Sequence, residues 1–202
     1  MMLRLSQTNM KFRLIIYAFL LFCGSCKKDS HDARLTVHRD NVSVANEFVD
    51  AFYSFNRDTL ASVLSAAKQS HPEILYYQKW AECGNYKVLH RHPIVEINDS
   101  LVLCPVTVKD DLMRSLKINF NVTDTFHVTI LQGRICKVTT SSNDPVEYYL
   151  AKEWVKKNRP EYIKEACEGI WEGGPTPCEC IRGMIKGFGE LAASENKPIS
   201  KN

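Results

Sequence analysis

The chain has 202 residues, 45% hydrophobic, 24% charged and 10% aromatic, with 9 Gly and 8 Pro. That composition suits one ordinary globular domain and excludes a collagen-like, low-complexity or disordered chain. The formal charge of +3 is local: Arg4, Lys11 and Arg13 precede every acidic residue, and without residues 1–25 the chain carries 23 basic and 23 acidic side chains. That balance does not recommend a nucleic-acid partner, which would want a basic face or stripe. The one long apolar run lies at the extreme N-terminus, which excludes a multipass membrane protein.

Lys11 and Arg13 stand before residues 14–22 (LIIYAFLLF), an apolar run of nine. A membrane-spanning helix needs about 20 such residues, so the run has the length of a signal-peptide core instead. Gly24 and Ser25, immediately before Cys26, resemble the lipobox of bacterial lipoproteins, although Cys23 stands where that motif usually has an aliphatic residue. The resemblance implies a signal peptide at 1–25, diacylglycerol on Cys26, and a protein anchored by lipid to a bacterial membrane, on its periplasmic or cell-surface face. Residues 26–40, polar and charged after the cysteine, then read as a tether between lipid and domain.

Asp40 or Asn41 can cap a helix whose apolar positions Val44, Phe48, Ala51, Phe52 and Phe55 recur at three- and four-residue steps. Asn56, Arg57 and Asp58 break it, and Leu60, Val63, Leu64 and Ala67 make a second, shorter helix. Ser70, Pro72 and Glu73 open a third, with Ile74, Tyr77 and Trp80 on one face and Gly84 at its end.

The period then changes from about 3.6 to 2. Residues 86–97 and 101–108 read as a hairpin about Asn98 and Asp99, with Pro93 and Pro105 marking bulges or edge positions. Leu116, Ile118, Phe120, Val122, Phe126, Val128 and Ile130 share one parity, which predicts one long strand with a single wet face. Gln132 and Gly133 turn it into a fourth strand at 134–139. Asp144, Pro145 and Glu147 open a further helix, Pro160 another helical piece, and Thr176, Pro177 and Glu179 a last one. That last helix carries Ile181, Met184, Ile185 and Phe188 on one stripe, and Gly183, Gly187 and Gly189 weaken it unless it packs closely. The tail from 194 to 202 is polar and expected to be disordered.

Apart from Cys23 and Cys26, six cysteines remain: Cys83, Cys104, Cys136, Cys167, Cys178 and Cys180. Cys167 and Cys178 flank a turn-rich segment, so a disulfide between them is the expectation, with Cys180 as rival partner. Cys104, in a strand-like run, is expected to be a buried free thiol. Zinc on Cys167, Cys178 and Cys180 ranks below a disulfide, because paired C-x2-C spacing is missing. No metal and no cofactor are expected.

Two segments carry a further resemblance: residues 44–64 (VANEFVDAFYSFNRDTLASVL) and residues 125–139 (TFHVTILQGRICKVT). The helix, polar break and second helix of the one, and the strand, Gly turn and strand of the other, resemble the nuclear transport factor 2-like fold. This is the SnoaL-like, cystatin-like superfamily. The resemblance implies an α+β domain over 41–143, three N-terminal helices packed on a curved, cone-shaped, four-strand antiparallel sheet. A helical extension over 144–193 lies outside it. It also implies a cavity that holds a small apolar ligand, lined here by Phe48, Phe52, Tyr53, Trp80 and Phe126.

Enzymes of that superfamily, of the ketosteroid-isomerase or polyketide-cyclase kind, place an Asp or His base in the cavity beside a tyrosine or second acid. His90 or His92 as base and Tyr53 as stabiliser are the candidates here, but alternation also allows both histidines to face solvent. Asp50 falls off the apolar stripe of its helix and is expected to be solvated, and His127 alternates out of phase with the core. No Ser-His-Asp elbow, phosphate-cradling loop or H-E-x-x-H pattern occurs. The expectation is therefore a non-catalytic domain that binds a small ligand, a protein partner or a second copy, with the cavity enzyme as alternative. Metabolic labelling with a fatty-acid analogue is expected to mark the wild-type protein and not Cys26→Ala; label retained by the variant would remove the lipid anchor.

Overall fold

A computed structural model describes residues 40–168 and 178–195, all within one compact unit, Val37–Asn202. The expected signal peptide, Cys26, most of the tether, the Thr176–Pro177 helix start and the tail from 196 lie outside the described residues. Among those described, the protein is α+β, with six α-helices and a five-stranded antiparallel sheet.

Helix α1 (Asn41–Tyr53) begins at Asp40, whose carboxylate accepts from the Ser43 backbone N–H at 2.7 Å, which holds the carboxyl below its usual range. Phe55, at φ 55°, ends the turn, and the Asn56 side chain caps α2 (Arg57–Val63). Helix α3 (His71–Cys83) has Pro at its start but no side-chain cap. The Ser70 hydroxyl instead accepts from the Val138 backbone N–H at 2.9 Å. That bond satisfies an outward donor on the sheet's last strand, a buried group that would otherwise be left unpaired. After Gly84, Asn85 takes the left-handed conformation (φ 53°) that releases the chain into the sheet.

The strands are β1 (Lys87–Arg91), β2 (Val95–Glu96), β3 (Leu101–Lys109), β4 (Val122–Leu131) and β5 (Arg134–Ser142), in the order β1-β3-β4-β5 with β2 also on β3. The first expected strand is thus two pieces on one edge of β3. Pro93 falls in the gap, and the His92 backbone N–H there donates to the Pro105 carbonyl at 3.0 Å; Pro105 itself lies in regular register inside β3, neither bulge nor edge, and returns no N–H to the ladder. The expected long strand from Leu116 is shorter. Asp110 caps a short helix, α4 (Asp111–Ser115), through the Met113 N–H at 2.8 Å, and Lys117 turns the chain at φ 58° before β4 begins. Gln132 and Gly133, at φ 52° and 71°, form the expected tight turn of the β4–β5 hairpin.

Val102, Cys104, Val106 and Val108 of β3 and Val122, Phe126, Val128 and Ile130 of β4 point inward. Helix α1 covers them: the rings of Phe48 and Phe52 lie 5.2 and 4.8 Å from that of Phe126. The buried Gln78 amide of α3 donates to the Ala51 and Phe52 carbonyls, satisfying the end of α1.

Helices α5 (Val146–Asn158) and α6 (Cys178–Glu195) complete the unit, with a short 3-10 turn at Pro160–Tyr162 between them. A Cβ on Gly183 would strike the Tyr162 carbonyl, and one on Gly187 the Val155 methyls, so both glycines allow close packing. Nothing in the structure explains Gly189. Arg159 and the Tyr162 hydroxyl both reach the Glu190 carboxylate, at 2.6 Å each, and hold it below its usual range.

The disulfides differ from expectation. Cys167 pairs with Cys180 and Cys178 with Cys83, in place of Cys167 with Cys178. The reason is tertiary: α6 runs beside the end of α3, which brings Cys83 within 5.1 Å (Cα to Cα) of Cys178. Cys104 is a buried free thiol pushed up to about 12 by burial, and Cys136 is also free. In the chain-entropy account, loops of 95 and 13 residues contribute about 4.7 and 3 kcal/mol when closed singly. Non-reducing digestion with cleavage after Glu179 should recover Cys83–Cys178 and Cys167–Cys180 peptides. Cys83→Ser should lower the unfolding free energy by about 2–5 kcal/mol in chemical denaturation.

Candidate functional site

Where β4 and β5 meet α3, α4 and α5, the packing leaves a cavity of about 290 Å3. Its walls arise from the local rules above. Tyr76, Tyr77 and Trp80 come from α3, Asp110 from the cap of α4, and Asp124 from β4. Tyr148, Tyr149 and Lys152, spaced by one and three residues, come from α5, and Tyr86 and Asp144 from the connecting segments.

Asp124 holds an inward position on β4, in the same parity as Val122, Phe126 and Val128, and is only 2% exposed. The Tyr77 hydroxyl donates to it, and its Oδ2 has no hydrogen-bond partner. Asp110, also 2% exposed, accepts the α4 cap bond on Oδ1 and leaves Oδ2 unpaired. Burial pushes each carboxyl up to about 6. The Tyr77 donation on Asp124 and the Met113 N–H on Asp110 work against the rise, and the neighbouring Asp144 adds to it. Asp144 itself accepts from the hydroxyls of Ser142 at 3.0 Å and Tyr149 at 3.3 Å.

The phenols behave as fixed donors. Burial, then facing carboxylates and phenols, raises Tyr77, Tyr86 and Tyr148 well above the usual tyrosine range. Lys152 sits 5.3 Å from the centre of the Tyr148 ring; burial and Lys156 lower its pKa, and Asp144 opposes them. The arrangement can therefore grip hydrogen-bond donors or positive charge, and its carboxyls can exchange a proton near neutrality. Among the described residues, no group of three or more His, Cys, Asp or Glu is placed to hold a metal ion.

The residues singled out from sequence are dispersed. Phe48, Phe52 and Phe126 are fully buried and pack against one another between α1 and the sheet, and none of them lines this cavity. Tyr53 joins that cluster, its ring 4.9 Å from Phe52 and its buried hydroxyl without a hydrogen bond. Trp80 alone of the five expected lining residues reaches the cavity. His90 and His92 lie exposed on the sheet edge, rings 4.5 Å apart, with His92 Nε2 2.9 Å from the Thr107 hydroxyl. Asp50 is exposed and pairs with Arg91, and His127 reaches the Ser141 hydroxyl at 2.9 Å.

Asp110, Asp124, Asp144, Tyr86 and Lys152 were not among the candidate site residues; Asp144 was expected only to start a helix, and its side chain does not cap α5, whose N-cap is Pro145. One signal was present: an aspartate on the apolar parity of a strand is a polar group at a core position. Asp110, followed by Leu112 and Met113, is a helix cap in a stretch whose alternation predicts strand. Set against protein-family models, curated proteins and solved structures, the chain matches none of them.

Each carboxyl has a folded pKa above its unfolded value of 3.8, so folding favours the protonated form. That contribution is fully present below pH 3.8 and is lost as pH rises through about 6, on the order of 3 kcal/mol per group. Asp124→Asn keeps an acceptor for Tyr77 and should stabilise the empty protein at pH 7.5 by about 1–3 kcal/mol, with little effect at pH 4. Denaturation at both pH values checks this.

Proposed function

We propose that the chain is an exported, lipid-anchored, non-catalytic domain that holds a small ligand in the cavity between α3, α4, α5 and the sheet. The observation that carries this reading is the pair of carboxylate oxygens, on Asp110 and Asp124, buried at the cavity wall without a partner. An unpaired buried polar group is expensive, and a ligand that supplies the missing donors offsets that penalty. The surrounding tyrosines, kept protonated by burial, suit fixed recognition better than nucleophilic chemistry.

Export is supported by the signal-like N-terminus, by Cys26 after a small pair, and by two disulfides of the kind that persist in oxidising compartments. For the fold we propose the cone of the nuclear transport factor 2-like superfamily, with the sheet bent around α1. The contacts of Phe48 and Phe52 with Phe126 support that placement. The second reading, a cavity enzyme of the isomerase or cyclase kind, takes Asp124 as base in place of His90 or His92, because Asp124 titrates near neutrality.

Native mass spectrometry of the exported protein should detect a small molecule that departs on denaturation and is missing from Asp124→Asn. Absence of any bound mass, or equal retention by the variant, would overturn the ligand-binding reading.

A further inference from the structure

We infer that the ligand is a small organic cation, an amine or quaternary ammonium compound, held through its charge by Asp110 and Asp124 and through its carbon frame by the aromatic walls. The inference rests on the ligand-binding reading and goes beyond it by naming the chemical class.

Charge comes first. Three carboxylates line the cavity, those of Asp110, Asp124 and Asp144, against one cation, Lys152. Asp144, the more exposed of the three acids, is the one whose charge raises the pKa of Lys152. Among the described residues neither Asp110 nor Asp124 has an ion-pair partner. The groups that face Asp124 are Tyr53 of α1, Tyr77 of α3, Tyr86, Ser142 of β5, Asp144 and Asp110. Those that face Asp110 are Tyr86, Asp111, Asp144 and Tyr148 of α5. All are neutral or acidic, so two units of negative charge go uncompensated once both carboxyls ionise. A neutral ligand would leave that charge in place, and an anion would add to it.

The walls then decide between kinds of cation. Tyr76, Tyr77, Trp80, Tyr86, Tyr148 and Tyr149 surround the cavity. Aromatic faces attract a desolvated ammonium group, and an aromatic cage with a carboxylate is the usual receptor for alkylated nitrogen. A bare metal ion wants several oxygen ligands converging on one point, and the described residues do not bring three such groups together. A cavity near 290 Å3, at the small end of ligand pockets, fits a compact amine.

The test is calorimetric titration of the full chain, disulfides intact, with phenethylamine, benzyltrimethylammonium, phenethyl alcohol, phenylacetate and calcium chloride. At pH 7.5 one of the two ammonium probes should bind at least about tenfold more tightly than the alcohol or the carboxylate. Protonation of one carboxyl near pH 6 should weaken that probe about tenfold at pH 5. Asp124→Asn and Asp110→Asn, each shown to be folded by circular dichroism, should lose about tenfold at pH 7.5 and flatten the pH profile. Asp50→Asn, remote from the cavity, should bind as wild type.

Equal binding of the alcohol, tighter binding of phenylacetate, or binding of calcium alone would overturn the cation assignment. So would a neutral or anionic molecule found by native mass spectrometry, which would leave the ligand-binding reading standing. No binding by any probe together with no retained molecule would overturn both.

Discussion

The inner face of β4 must be covered, because Val122, Phe126, Val128 and Ile130 all project to one side of a strand whose side chains alternate. Helix α1 covers the middle of that face with Phe48 and Phe52. They meet Phe126 in edge-on and tilted contacts, and all three rings are fully buried. Asp124 shares the parity of Phe126 and sits one step nearer the start of the strand. Closing the core therefore carries a carboxylate under cover. The chain accommodates it by surrounding it with tyrosines rather than by pairing it with a base.

From that one placement the electrostatic character of the cavity follows. Asp110 reaches the same space for a different reason, as the cap of α4, and its second oxygen is left over after the Met113 N–H is satisfied. In this low-dielectric wall burial raises both acids, Asp110 adds to the rise of Asp124, and the two carboxylates add to the upward shifts of Tyr77, Tyr86 and Tyr148. The empty cavity is then a stability liability at neutral pH, as expected where a binding site is built against the preferences of folding.

The C-terminal helices belong to this arrangement. Helix α5 supplies Tyr148, Tyr149 and Lys152 to the cavity, and α6 packs on α5 through the Gly187–Val155 and Phe188–Tyr148 contacts. The Cys83–Cys178 bridge ties α6 to the end of α3, the helix that carries Tyr76, Tyr77 and Trp80. Residues that look like an appendage in sequence thus form one wall and brace another. The bridges restrict how far those walls can separate, which favours a preformed pocket.

Local rules in the sequence were enough to locate α1, α2, α3, the β3 and β4–β5 segments and α5. Each of these follows from a cap, a turn residue or an apolar period acting over a few positions, although the caps expected of Ser70 and Asp144 make no side-chain bond to their helices. They failed at 111–121, where Leu116, Ile118 and Phe120 mimic strand alternation, because a cap bond at Asp110 and a reversal at Lys117 outweigh a weak period. The site was decided by tertiary structure alone. Its members come from six segments between Tyr76 and Lys152, and their pKa values depend on burial that no single segment creates. The disulfide pairing has the same origin: spacing along the chain favoured Cys167 with Cys178, whereas the packing of α6 beside α3 brought Cys83 into reach. Alternation along a strand is a property of the backbone, but which carboxylate meets which phenol depends on how the elements pack.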